Sequence, residues 1–578
     1  MLVAVLDCGG RKAGGRVGAP IAPVPPPPSP VPAVISVDSV LSGLTVRQKA
    51  AQLVMPWVSG AYTALDDSAF QVVTRWIDSL QVGGLLVSAG SPFDVAAKLN
   101  ALQLRSQLPL LVSADLEWGS GMRLAGGIAF PMVMATGATG DPRDAYAIGA
   151  AAATEGRAVG IHVNFAPDAD VNNNPLNPII NVRSFGENPA AVARLVQEYV
   201  RGLQEHGMLA TLKHFPGHGD TRVDSHLNMP VITADYARLD SVELIPFRAG
   251  IAAGARVVMS GHIAFPAFTG SDEPATVSAA VMTGLLRDSL GFQGLVVTDA
   301  LSMGAIASRY GSGEASVRAL LAGSDLLVMP ADPDAAVTAV AAAVAAGRVT
   351  TARLDASVRR VLEIKRQLGL FARRTVPLDS LMTTVGTRAL QNQADDLAVR
   401  ALTLVRDSGA AFRTLQTRRT RVALIAYGDE KNSSVGQRIA EALRAGGNAV
   451  DYFRLWPMSG TLSYDSARAA LGRGERVVFV AHVRPITAHG TIVMPDSLAR
   501  LIMTTDSARP TVFVSLGSPY LLNQTPTVKS YLVAWSAVRA AERAVGLALL
   551  GQVPIAGHLP ISLPPYPIGH GIEVPARP

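Results

Sequence analysis

Eight short apolar runs, separated by longer amphipathic stretches, constrain this chain more than anything else in it. They are Gln52–Trp57, Gly84–Ser88, Leu110–Asp115, His162–Ala166, Leu209–His214, Arg256–His262, Leu295–Asp299 and Asp325–Met329. Runs of this length, rich in Val, Leu and Ile, fit strands buried on both faces, and parallel neighbours need a crossover, usually a helix. Eight such units predict an α/β fold in which residues 35–371 form a (β/α)8 TIM-type barrel. Four of the runs end in a titratable side chain: Asp115, His214, His262 and Asp299. In a barrel the C-terminal ends of the strands converge on one face, so these four should share one site. A doubly wound sheet also gathers strand ends, but its Gly-rich phosphate turn is not found in this sequence.

Residues 372–396 read as a linker with helical character. A second α/β pattern fills 397–578, with strands expected at Ala401–Arg406, Arg421–Ala426, Ala449–Arg454, Arg476–Ala481, Thr511–Ser515 and Tyr531–Trp535. This is a smaller α/β sandwich domain of ordinary size. Residues 1–34 read as a disordered tail, with the proline-rich run Pro20–Pro32 extended and semi-rigid. Within it, Leu6-Asp7-Cys8-Gly9 resembles a degraded bacterial lipoprotein cleavage box. The apolar stretch before it is short and lacks basic residues, and Asp7 is a poor neighbour for such a cysteine. Two readings stay open: export or lipid anchoring through Cys8, or a cytoplasmic protein with an untethered tail.

Cys8 is the one cysteine, which excludes an internal disulfide and a multi-cysteine metal site. A net charge of +6 over 578 residues is small, and no basic cluster is dense enough to suggest nucleic acid. No apolar run is long enough to span a bilayer as a helix. Nothing in the sequence specifies an oligomeric state.

The segment Lys213-His214-Phe215-Pro216-Gly217-His218-Gly219-Asp220-Thr221-Arg222-Val223-Asp224-Ser225-His226 holds three of the ten histidines. Asp224 lies two residues before His226, close enough in a turn to fix the tautomer of the imidazole and to stabilise its charged form. The plain alternative is a solvated histidine beside a capping aspartate. A metal site is the rival, with His214, His218, Asp220, Asp224 and His226 as ligands. Against it, Phe-Pro-Gly between His214 and His218 prevents the shared helical face of H-E-x-x-H enzymes. Asp299, in Thr298-Asp299-Ala300-Leu301-Ser302-Met303, is either a helix cap or a carboxylate nucleophile for sugar chemistry. Asp115, in Ser113-Ala114-Asp115-Leu116-Glu117-Trp118, and nearby Arg123 suit either hydroxyl recognition or a surface salt bridge. Arg183 sits in an Asn-rich loop after the fourth strand, where an arginine is most often a surface partner.

Together these segments resemble glycoside hydrolase family 3, specifically its two-domain β-N-acetylglucosaminidase (β-hexosaminidase) branch. The resemblance rests on K-H-F-P-G-H-G-x-T-x-x-D-S-H at 213–226, T-D-A-L-S-M at 298–303 and N-P-x-x-x-x-R-S-F-G at 177–186. The ending Gly551-Gln552-Val553-Pro554-Ile555-Ala556-Gly557-His558-Leu559-Pro560 is similar to that of two-domain members. It implies Asp299 as nucleophile and His226 as general acid/base held by Asp224. It also implies Asp115, Arg123, Arg183, Lys213 and His214 as ligands of the terminal sugar, with no metal and no cofactor. The family's D-x-E-G-G pattern is altered: Trp118 replaces the first glycine and Ser120 the usual larger residue, which puts the loop shape in question.

The reaction so implied is retaining hydrolysis, through a covalent glycosyl-enzyme, of saccharides with a terminal β-linked N-acetylglucosamine. Phosphorolysis of the same glycosides is the enzymatic alternative, since a neutral histidine repels phosphate less than a glutamate would. A non-catalytic sugar-binding protein is the third reading, disfavoured by the intact set Asp224, His226 and Asp299.

Overall fold

The computed structural model describes residues 35–577, apart from 417, 418, 431 and 487. The proline-rich tail and Cys8 lie outside the described residues.

The first sheet contains β1 (Val54–Met55), β2 (Trp57–Ser59), β3 (Gly84–Ser88), β4 (Leu111–Ala114), β5 (Val163–Asn164), β6 (Leu209–Phe215), β7 (Val257–Ser260), β8 (Leu295–Thr298) and β9 (Leu327–Val328). From β2 to β8 each strand pairs in parallel with the next. β1 and β2 are one strand interrupted at Pro56, which has no N–H to donate but whose carbonyl still accepts from Leu86. β9 pairs in parallel with β1, and Leu326 just before it bridges to Val297 of β8. The ring therefore closes with eight strand positions, as the eight apolar runs predict.

Their closure follows from burial on both faces: β4, β7 and β8 have no exposed residue. The outer helices are begun by side-chain caps. Ser91, Asp141, Asn188 and Asp332 each accept an N–H from the first turn, and each is followed by proline at the first helical position. A cap sets where each helix starts, and thus where the loop from the preceding strand ends.

The second sheet contains β10 (Thr403–Asp407), β11 (Arg421–Tyr427), β12 (Ala449–Leu455), β13 (Arg476–Ala481), β14 (Thr511–Ser515) and β15 (Ser530–Val533), in the order β10-β15-β14-β13-β11-β12. All pairs are parallel except β10 with β15. The chain leaves β11 for β12 on one side and returns to β13 on the other. A crevice opens at such a reversal, outside the C-terminal strand ends.

The two sheets belong to one packed unit. Arg400 is paired with Asp144, and the Asn172 amide donates to the Tyr520 hydroxyl at 3.0 Å. The Glu187 carboxylate accepts the Ser562 N–H at 2.8 Å. Among the described residues, no helix is long and apolar enough to cross a membrane.

Candidate functional site

The first group is a lattice of buried charges. Lys213, near the end of β6, places its ammonium 2.8 Å from Glu117, 3.1 Å from Asp115 and 3.6 Å from Asp168. Arg183 forks onto both oxygens of Glu117 at 2.8 and 3.0 Å and lies 3.1 Å from Asp168. Arg123 pairs with Asp115 at 3.0 Å. Three carboxylates thus alternate with three cations. Burial would push the Glu117 carboxyl up, but Arg183 and Lys213 hold it well below the usual carboxylate range. Burial would likewise pull the Lys213 ammonium down, and Glu117, Asp115 and Asp168 reverse that. Asp168 is the exception: burial raises it despite Arg183. It takes part through ion pairs, without a hydrogen bond to either carboxylate oxygen.

The backbone around Glu117 is fixed from behind. The Tyr199 hydroxyl lies 3.0 and 2.9 Å from the carbonyls of Leu116 and Glu117, and the Leu116 N–H donates to Asn164 at 2.8 Å. The altered 115–123 loop is also explained. Its left-handed position falls on Gly119 (φ 101°), where an added Cβ would strike the Ile128 carbonyl, so Trp118 is tolerated one residue earlier. Ser120 donates to the buried Glu155, which also accepts the Ile128 N–H at 2.9 Å and the Gly386 N–H at 2.7 Å. Arg123 is thereby held in reach of Asp115.

The second group surrounds Asp299. His214 places Nδ1 2.8 Å from Asp170, and the Asp170 carboxylate also accepts the backbone N–H of His218 at 2.6 Å. Burial lowers the His214 imidazole, but Asp170 outweighs it and its pKa rises. His262 lies with Nδ1 2.7 Å from the Thr276 hydroxyl and Nε2 3.0 Å from the Ala300 carbonyl, and burial lowers its pKa. Asp299 follows β8 and accepts the Ala300 N–H at 2.7 Å. Burial would raise its carboxyl, but His214, His262 and His226 together hold it at about 2.

The third group is Asp224 with His226. One Asp224 oxygen accepts the backbone N–H of His226 at 2.9 Å and meets Nδ1 of the ring at 2.8 Å. A carboxylate at Nδ1 puts a proton there and leaves Nε2 for proton transfer. The other oxygen accepts the backbone N–H of Ala488 at 3.0 Å. Burial favours a higher Asp224 pKa, but the bonds from His226 and Ala488 bring it below its ordinary value. Ala488 lies beyond β13, so the second domain reaches the site through a main-chain donor.

The eight residues expected at the site fall into these three groups, all beyond or near the C-terminal ends of barrel strands. Arg183 is no surface partner: its side chain is 14% exposed, locked between Glu117 and Asp168. Asp168, Asp170 and Ala488 were not anticipated, and Glu117 had no assigned role. The signal for the first two was Pro167-Asp168-Ala169-Asp170 directly after a predicted strand. A backbone donor such as Ala488 leaves no signal of its own.

The rival metal set does not assemble. His218 has both ring nitrogens engaged, by Thr221 at 2.8 Å and Ser225 at 3.1 Å, and burial drives it down to about 4. Asp220 faces outward, 4.0 Å from Arg238. Among the described residues, ligand-type atoms gather within 4.8 Å at Asp168, Asp170 and His214 instead. Lys213 and Arg183 already stand against Asp168, and two fixed cations there oppose a third.

Comparison with known proteins bears on the family and the fold. Residues 45–364 match the glycosyl hydrolase family 3 N terminal domain. The chain is 30% identical over 505 residues to a beta-N-acetylglucosaminidase/beta-glucosidase of Cellulomonas fimi, covering 83% of this chain and 88% of the relative. A solved glycoside hydrolase family 3 beta-N-acetylglucosaminidase from Paenibacillus sp. FPU-7 is 35% identical, with a TM-score of 0.81 over 90% of this chain and 99% of the other. The beta-glucoside phosphorylase BglX is 26% identical, with a TM-score of 0.83 over 91% of this chain and 96% of the other. The chain belongs to glycosyl hydrolase family 3.

Proposed function

We propose that this chain is a retaining exo-β-N-acetylglucosaminidase. Its substrates are cell-wall or chitin-type saccharides ending in β-linked N-acetylglucosamine, cleaved through a covalent glycosyl-enzyme. The observation that carries the reading is Asp299: a carboxylate on a barrel strand end, kept ionised by three imidazoles, one of which belongs to the Asp224–His226 pair. An ionised carboxylate attacks the anomeric carbon and also stabilises the positive charge that develops there. As the glycosidic C–O bond breaks, Nε2–H of His226 gives its proton to the leaving oxygen. Asp224 stabilises the imidazolium before the transfer and fixes the ring throughout. His226, now neutral, takes a proton from water, whose oxygen attacks the anomeric carbon and returns the electron pair to Asp299.

Lys213, Arg183, Arg123, Asp115 and His214 grip the terminal sugar in this scheme. Their mutual bonds fix them before substrate arrives, and orientation set in advance is a large share of rate acceleration. The names of the relatives from Cellulomonas fimi and Paenibacillus support N-acetylglucosamine as the sugar.

A fluorinated N-acetylglucosaminyl inactivator followed by peptide mapping tests the nucleophile: the sugar mass is expected on the peptide carrying Asp299. A label on any other residue refutes it. Asp299→Ala is expected to lower kcat by about 10⁴-fold or more. Accumulation of sugar 1-phosphate in phosphate buffer would overturn hydrolysis.

A further inference from the structure

Of the four titratable strand ends, His262 is the one that neither grips the sugar nor reacts in the proposed scheme. It follows β7 and is buried, together with Ser260 and Thr276. Buried polar groups are costly unless bonded, and a fully bonded set holds its members rigidly. This set is fully bonded. The Ser260 hydroxyl donates to the Thr276 hydroxyl at 3.0 Å, and the Thr276 hydroxyl lies 2.7 Å from Nδ1 of His262. Thr276 can give its proton to Nδ1 or, when Nδ1 carries its own, to the Gly261 carbonyl at 3.1 Å. In either state Nε2 faces the Ala300 carbonyl at 3.0 Å, which only accepts, so Nε2 carries a hydrogen.

That bond lands on the turn carrying Asp299. The Ala300 N–H donates to Oδ1 of Asp299 at 2.7 Å, which leaves Oδ2 for the anomeric carbon. Main-chain bonds hold the same turn: Asp299 N–H to the Ser260 carbonyl at 3.1 Å, Leu301 N–H to the Val328 carbonyl at 2.9 Å and Met303 N–H to the Ala300 carbonyl at 3.0 Å. Among the described residues, His262 is the only side chain from outside the turn that bonds its main chain. Without it the backbone at Ala300 is free to tilt, and the N–H that aims the Asp299 carboxylate tilts with it.

We infer that His262 is a positioning residue for the nucleophile, fixing through Ala300 the direction in which the Asp299 carboxylate points. This rests on the reading of Asp299 as nucleophile. A residue of this kind acts on rate and not on sugar binding, because a small misplacement of a reacting atom costs rate steeply.

The test is the labelling of the full chain by a fluorinated N-acetylglucosaminyl inactivator, followed by mass. Two quantities are read: the maximum first-order rate of labelling, and the inactivator concentration that gives half of it. His262→Phe keeps a flat ring and removes the N–H. It should lower the maximum rate about tenfold, the worth of one hydrogen bond, move the half-saturating concentration less than about twofold, and still reach a full label on each chain. His262→Gln, which restores an N–H donor, should recover most of the loss. Thr276→Val frees Nδ1 and should lower the rate about threefold, while Thr276→Ser should not; this pair decides the matter should His262→Phe fail to fold. A maximum rate unmoved by His262→Phe, or by Thr276→Val where His262→Phe does not fold, overturns the role. So does an effect confined to the half-saturating concentration. So does a His262→Gln as slow as His262→Phe, because ring packing would then account for the loss. A wild-type chain that takes no label on Asp299 overturns the nucleophile reading instead, which separates the two failures.

Discussion

Two lysines lie buried at opposite ends of the same barrel, and their surroundings differ in kind. Lys213, near the C-terminal end of β6, is enclosed by three carboxylates and pushed above its ordinary pKa. Lys365 sits at the N-terminal end, donating to Gln52 at 2.8 Å, and burial brings it down to about 7. His162 and Arg157 nearby are likewise lowered by burial. The barrel spends acids on keeping charge at one end and lets charge go at the other. Buried ion pairs do little for stability, so a lattice of six charged groups implies a use beyond holding the fold. At the N-terminal end the same residue type is an amphipathic filler.

The largest effect that would sharpen this contrast is expected at His226. His226→Ala should lower hydrolysis of glycosides with unactivated leaving groups by about 10³-fold, but that of 2,4-dinitrophenyl glycosides by less than tenfold. Activated leaving groups need no proton. Equal losses on the two substrates, read as kcat/KM, would remove His226 from the acid role and weaken the claim that this end of the barrel is organised for chemistry.

Glu117→Gln attacks the lattice itself. It takes one carboxylate from Lys213 and Arg183 while leaving the shape almost unchanged. Breaking a buried pair from one side costs about 3 kcal/mol, measurable by urea unfolding. Asp168 offsets part of this, because Glu117 is among the groups holding its pKa up, and its ionisation becomes easier once Glu117 is neutral. A stability unchanged within about 0.5 kcal/mol would mean that the six charges are not coupled.

At the other end, Lys365→Met should raise stability by about 2 kcal/mol at pH 7 with no change in kcat. The sign follows from linkage. Between pH 7 and 10.5 the unfolded chain binds a proton that the native Lys365 does not, so wild-type stability rises with pH across that window. The variant lacks this rise, so its stability advantage should shrink as the pH is raised above 7. A gap that stays constant with pH would place the effect in packing instead of charge.

Legibility in the sequence followed the same divide. The strands were readable because parallel barrel strands are buried on both faces, so β4, β7 and β8 stand out as mainly apolar runs with a single hydroxyl residue each. Lys213, His214, Asp224 and His226 were readable because they crowd one short segment. Glu117, Asp168 and Asp170 were harder. Glu117 meets Arg183 across 66 positions and Asp170 meets His214 across 44. No local pattern encodes a partner at that distance, and Asp-Ala-Asp after a strand reads equally well as a turn. The closing of the barrel through β9 and β1 depends on two residues of pairing and a proline, which periodicity does not specify.

The smallest effect belongs to the reach of the second domain. Ala488 holds φ at 62° and gives its N–H to Asp224. Proline at 488 has no N–H and cannot adopt that φ, so Ala488→Pro breaks the contact on both counts. Asp224 then loses one of the donors holding its pKa down. The sign is fixed: a higher Asp224 pKa means protonation, and loss of the His226 partner, at a higher pH. The acid limb of kcat against pH should move upward, and kcat on unactivated glycosides should fall by at most about tenfold, the worth of one hydrogen bond to a charge. Ala488→Gly keeps the donor and suits the left-handed backbone, so its profile should overlay that of the wild type. If Ala488→Pro also overlays it, the second domain only covers the barrel and does not tune its acid.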